Sequence, residues 1–158
     1  KMPKLKDTRA TSSQELHNYD KYIGYIESVF NKLKSHAACN GRIAIVGFSL
    51  GGTYSFIAAA RLEPDAAIAY YPIDIQNYLA EGKFVNCQTI LHVGRNDIYM
   101  KEKDMKKMHA ALIGKFNMAI YQYDAGHGFA NSTNLESYQP DAKVLSFQRT
   151  FDLLDSLK

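Results

Sequence analysis

The chain has little of what a disulfide scaffold, a zinc module or a membrane span requires. Its 158 residues include only two cysteines, Cys39 and Cys87, far apart and without a C-x-x-C or histidine-rich neighbourhood, so neither a disulfide framework nor a zinc site is indicated. A reducing, cytoplasmic setting is the expectation from that usage. No apolar run approaches the roughly 18 residues needed to span a bilayer. The first residues have no hydrophobic core of the signal-peptide kind, although Lys1 need not be where translation began. Charge of one sign is scarce as well, with 19 basic against 16 acidic residues and a formal balance of +3. Lys1, Lys4, Lys6 and Arg9 form a basic tip, and "KEKDMKK" alternates in sign as a solvated helix face does. Neither makes a stripe for nucleic acid, and no nucleic-acid or membrane partner is expected. Internal repeats and low-complexity segments are absent.

What the chain does have is apolar material in regular order. At 46% hydrophobic residues, it suffices for one domain with a sizeable core, taken as 1–158 with a linker over 1–12. Ser12 and Glu15 match a capping box, and Leu16, Tyr19, Ile23, Ile26, Phe30 and Leu33 recur at helical spacing, which predicts a helix over 13–35. The short β-branched run 43–46 reads as a buried strand. A helix over 50–62, strands over 66–71 and 89–94, a helix over 103–113, a strand over 117–123 and a helix over 141–157 follow. Continuous apolar strands joined by helices imply an α/β parallel sheet covered on both faces, with function at the carboxyl ends of its strands.

Three of the loops at those ends carry polar chemistry. Gly47-Phe48-Ser49-Leu50-Gly51 matches G-x-S-x-G between a strand and a helix, the setting of a nucleophile elbow. There Ser49 would stand on a tight turn, Gly47 and Gly51 would leave room for close packing, and the Leu50 amide would face a developing oxyanion. The alternative is a chance match in a glycine-rich turn. A serine hydroxyl needs a base, and the base needs an orienting carboxylate. Of five histidines, His17, His36, His92 and His109 fall on predicted helices, a helix end or a strand, whereas His127 lies in "YDAGHGFAN" just after a strand. Asp97, in "RND" after the strand 89–94, is favoured as the acid over Asp74, its main rival. Asp124 shares the His127 loop, and Asp104 and Asp141 fall on predicted helices.

The chain resembles the dienelactone hydrolase family of α/β-hydrolases in "GFSLGG", in "HVGRNDIYM" and in "YQYDAGHGFAN" followed by a helix with "FQRTFDLL". The resemblance implies a partial α/β-hydrolase fold of about four parallel strands flanked by helices. It also implies cofactor-free, metal-free hydrolysis of a small ester, lactone or acyl bond by Ser49, His127 and Asp97, with Tyr71 in "YYP" as a substrate-binding candidate. Two positions depart from the family pattern: Ser49 stands where dienelactone hydrolases proper use cysteine, and Asn131 stands near the place of their carboxylate-binding arginine. The family's earlier strands, and the loop donating a second oxyanion amide, have no counterpart in this chain. The expectation is therefore a C-terminal portion of a longer domain, whose first strand has one open edge covered by a preceding segment or a homodimer partner. A related peptidase and a non-catalytic interaction module keeping the family motifs stand as alternatives.

Overall fold

The computed structural model describes residues 18–158. The Ser12/Glu15 capping box and the linker over 1–12 lie outside the described residues. Helix α1 spans Tyr19–Lys34 and starts later than the periodicity suggests, because Asn18 has non-helical dihedrals and its side chain accepts the Lys21 N–H at 3.2 Å. Strand β1 (Ala44–Phe48) runs two residues beyond the apolar run, since Gly47 and Phe48 still pair with Ala69 and Tyr70 of β2 (Ala66–Tyr70). Helix α2 (Leu50–Arg61) joins them. Strand β3 (Gln88–Gly94), helix α3 (Glu102–Leu112), strand β4 (Met118–Tyr123) and helix α4 (Pro140–Asp155) complete the order. Pro140 opens α4 at a position where no intrahelical N–H is required. Between β2 and β3 the chain forms two 3₁₀ turns, Ile75–Asn77 and Leu79–Phe84, which no hydrophobic period announces.

All four strands are parallel, in the order β1-β2-β3-β4. Alternate residues along them serve two different cores. Ala67, Ala69, Leu91 and Val93 meet Phe56 of α2 and Met108 and Leu112 of α3 on one face. Ile68, Tyr70, Ile90 and Tyr123 meet Ala142 and Phe147 of α4 on the other. Helix α1 packs outside α2 through Tyr19, Ile23, Tyr54 and Ile57. The crossovers leave the Ser49, Asp97 and His127 loops at one end of the sheet.

Among the described residues strand β1 pairs on one side only, with β2. Along it Val46 is 42% exposed beside Tyr25, Val29 and Leu33 of α1, and Phe48, 45% exposed, stacks on Tyr70.

Candidate active site

The nucleophile loop is built from the backbone outward. Ser49 donates its N–H to Tyr70 O at 2.9 Å, extending the β1–β2 ladder, and its own carbonyl accepts Gly52 N–H at 2.9 Å in the first turn of α2. Belonging to strand and helix at once forces φ to 54° and ψ to −120°, a region that costs a non-glycine residue on the order of 1–3 kcal/mol. The room needed falls at Gly47, where a Cβ would stand 1.8 Å from Gly51 O, and at Gly52, where it would stand 2.8 Å from Tyr70 O. Gly51 faces open space, so the spatial demand ascribed to it belongs to Gly52.

Ser49 Oγ lies 2.9 Å from His127 Nε2, and His127 Nδ1 lies 2.9 Å from Asp97 Oδ2. An ionised carboxylate only accepts, so Nδ1 carries the proton and Nε2 accepts from the serine hydroxyl. The Asp97 side chain is 2% exposed and that of His127 19%, which keeps water from competing for the pair. Asp97 Oδ1 accepts the Tyr99 N–H at 2.9 Å, so both carboxylate oxygens are engaged.

The acid and base loops are joined to each other. Arg95 N–H donates to Tyr123 O at 2.9 Å, Asn96 N–H to Ala125 O at 3.1 Å, and Asn96 Nδ2 to Asp124 Oδ1 at 3.0 Å. Gly94 permits this, because a Cβ there would lie 2.3 Å from Ala125 O. Asp124 is thus occupied in holding the loops together. Asp74 lies on the side of α1, where its charge adds to burial in pushing the Tyr19 phenol up.

The other histidines are held elsewhere. His92 is fully buried in β3, with Nδ1 2.8 Å from Tyr123 Oη and Nε2 3.1 Å from Thr150 Oγ1. Burial, then the nearby Arg149 guanidinium, pull its pKa down to about 3. His36 Nδ1 accepts the Ala38 N–H just after α1, His109 lies on α3 against Gln122, and His17 is outside the described residues.

Tyr71 is 5% exposed, leaves β2 with φ 37°, and sets its ring 5.0 Å from that of His127, edge-on at 66°. Tyr99, which the sequence reading did not single out, flanks the same imidazole at 4.7 Å and 72°. Its one sequence signal is its place two residues after Asp97. Leu50 contributes the first amide of α2 and packs its side chain toward α1. A cavity of about 310 Å³ beside Tyr71 is lined also by Phe48, Ala130, Asn131 and Phe147. Among the described residues no group of three or more His, Cys, Asp or Glu side chains could hold a metal ion, and no helix is long and apolar enough to cross a membrane.

The family model for dienelactone hydrolases matches residues 4–157. The chain belongs to the dienelactone hydrolase family. Within that family, a carboxymethylenebutenolidase of a Pseudomonas species is 27% identical over 124 residues, which make up 78% of this chain and 52% of that protein. Carboxymethylenebutenolidase 1 of Cupriavidus pinatubonensis is 30% identical over 119 residues, 75% of this chain and 50% of the relative. The chain therefore spans about half the length of these relatives. A dienelactone hydrolase-like promiscuous phosphotriesterase from metagenomic libraries superposes with a TM-score of 0.75 at 14% identity, over 89% of this chain and 63% of that one. An esterase of Pyrococcus furiosus gives 0.69 at 16% identity, over 87% and 62%. At these identities the likeness is one of fold, and that fold is the α/β-hydrolase arrangement of parallel strands flanked by helices.

Proposed function

We propose that the protein is a serine hydrolase of the dienelactone hydrolase type, cleaving a small ester, lactone or acyl substrate through a covalent acyl-serine. The observation that carries this reading is the unbroken hydrogen-bonded line Ser49–His127–Asp97 at the carboxyl end of the sheet. Ser49 Oγ attacks the substrate carbonyl carbon while its proton passes to His127 Nε2. Asp97 holds the Nδ1 proton in place and stabilises the resulting imidazolium. We assign the Leu50 N–H as a donor to the tetrahedral oxyanion, since the first amides of a helix have no intrahelical acceptor. Collapse expels the alcohol, which takes the proton from His127, and a water activated by the same imidazole then releases the acid. Tyr71 is an aromatic wall beside the base.

The relatives named carboxymethylenebutenolidase support ester-bond chemistry. The uncharged Asn131 in the cavity beside Tyr71, with its Oδ1 already accepting Thr133 N–H at 3.1 Å, favours a neutral substrate over a carboxylate-bearing one. A fluorophosphonate probe and p-nitrophenyl acetate, applied to the full-length protein, test the reading. Ser49 is expected to be modified, and Ser49→Ala to lose hydrolysis by at least about a thousandfold. A folded protein whose Ser49 stays unlabelled, or a Ser49→Ala variant with a near-normal rate, would overturn it. Parallel assay of a p-nitroanilide peptide separates ester from amide preference.

A further inference from the structure

We propose that Tyr71 and Tyr99 are positioning residues for the general base, gripping the His127 imidazole from two sides so that it stays on the line between Asp97 and Ser49 while its Nε2 partner changes. This rests on the hydrolase reading above. Over one turnover Nε2 must exchange partners from the serine hydroxyl to the leaving alcohol, then to water, then back to serine. At each exchange the Nε2 hydrogen bond is broken, and the Asp97 bond alone does not stop the ring from tilting about its remaining contact. Side-on packing does.

The two rings supply that packing, with centroids 5.0 Å and 4.7 Å from the imidazole and steep interplanar angles of 66° and 72°. Tyr71 is immobile: its N–H donates to His92 O at 2.6 Å, and its ring is braced by Phe129, 5.2 Å away and edge-on. Its left-handed φ of 37° shows that the surrounding structure imposes this placement on a residue that would not choose it. Tyr99 is 55% exposed, yet its N–H is bonded to Asp97 Oδ1, so the residue that packs on the base also orients the acid. Both contacts with the imidazole are ring to ring, which assigns the task to the rings.

The test compares Tyr99→Phe, Tyr99→Ala and Tyr71→Phe in the full-length protein, by kcat and KM on p-nitrophenyl acetate and by the low-field Nδ1 proton resonance of His127 without substrate. Tyr99→Ala is expected to lower kcat by about tenfold or more with KM little changed, since small misplacements of reacting groups cost up to about a hundredfold. Its Nδ1 proton signal should broaden or vanish. Tyr99→Phe should keep both kcat and the signal, and Tyr71→Phe, which keeps its ring, should keep the signal. The melting temperature of each variant is measured alongside, so that loss of the Tyr99 contact is separated from loss of the fold. Should Tyr99→Ala destabilise the fold, Tyr99→Val, which removes the ring contact while keeping a β-carbon branch, gives the same discrimination. A wild-type kcat with a sharp Nδ1 signal in Tyr99→Ala would overturn the proposal. So would a loss confined to KM, which would make Tyr99 a substrate wall, or failure of Phe to rescue. If the wild type turns over no ester, the hydrolase reading fails, while the grip on the imidazole is still decided by the resonance.

Discussion

His127, in the loop after β4, and His92, within β3, are each hydrogen-bonded through both ring nitrogens, yet their surroundings differ in kind. His127 is bracketed by a carboxylate on Nδ1 and a serine hydroxyl on Nε2, with part of its side chain open to solvent. His92 is bracketed by two neutral hydroxyls, those of Tyr123 and Thr150, is fully buried, and has the Arg149 guanidinium bonded to the same Tyr123 oxygen at 3.0 Å. In that place burial, and then the Arg149 guanidinium, oppose a proton on the ring, which is why its pKa falls to about 3. A histidine with two partners is therefore not yet a base. The carboxylate makes the difference, and an imidazole without one serves as a neutral strut between β3 and α4.

Removing each ring in turn breaks the comparison most sharply. His127→Ala is expected to cost at least about a thousandfold in ester hydrolysis, with little effect on the melting temperature. Replacing the carboxylate while keeping its shape comes next: Asp97→Asn should lower kcat by roughly a hundredfold to ten-thousandfold, because an amide can hold the wrong imidazole tautomer. His92→Ala reverses the pattern. It should lower stability by about 2–4 kcal/mol, read from urea unfolding, through the cavity opened between β3 and α4, while the folded fraction continues to hydrolyse ester.

The smallest effect is the pH slope. The folded pKa of His92 lies below histidine's ordinary value of about 6.5, so between the two the unfolded chain binds a proton that the folded chain refuses. Its full contribution is present above about 6.5, and stability falls as pH drops from there toward 3. The urea midpoint should decline from pH 7 to pH 5 in the wild type and less steeply in His92→Gln. Equal slopes would show that other groups govern acid sensitivity.

The alternation of strand and helix was legible because each strand is a short, mostly apolar run and each helix has an apolar stripe or, like α2, is buried on nearly every face. Ser49, Asp97 and His127 were legible as a set because a parallel sheet gathers its post-strand loops at one end. The 3₁₀ turns over 75–84 were not, since their apolar residues follow neither a period of 2 nor one of 3.6. Tyr99 was invisible for another reason: its contact with His127 is made between loops after different strands, and no local spacing encodes it. The glycine assignment erred by one place, because the sequence marks three candidate glycines while only the folded turn reveals which of them face another backbone.

Gly94 gives the site a property that none of its side chains has. With the backbone of β3's end pressed against Ala125 O, and three hydrogen bonds crossing beside it, the loops bearing Asp97 and His127 form one mechanical part, separate from the turn that bears Ser49. Opening at this end of the sheet is then expected to part Ser49 from His127 and to leave Asp97 and His127 in register. For anyone transplanting this chemistry onto another scaffold, the two loops are a single graft: moved together they keep their alignment, and a side chain at position 94 would pry them apart.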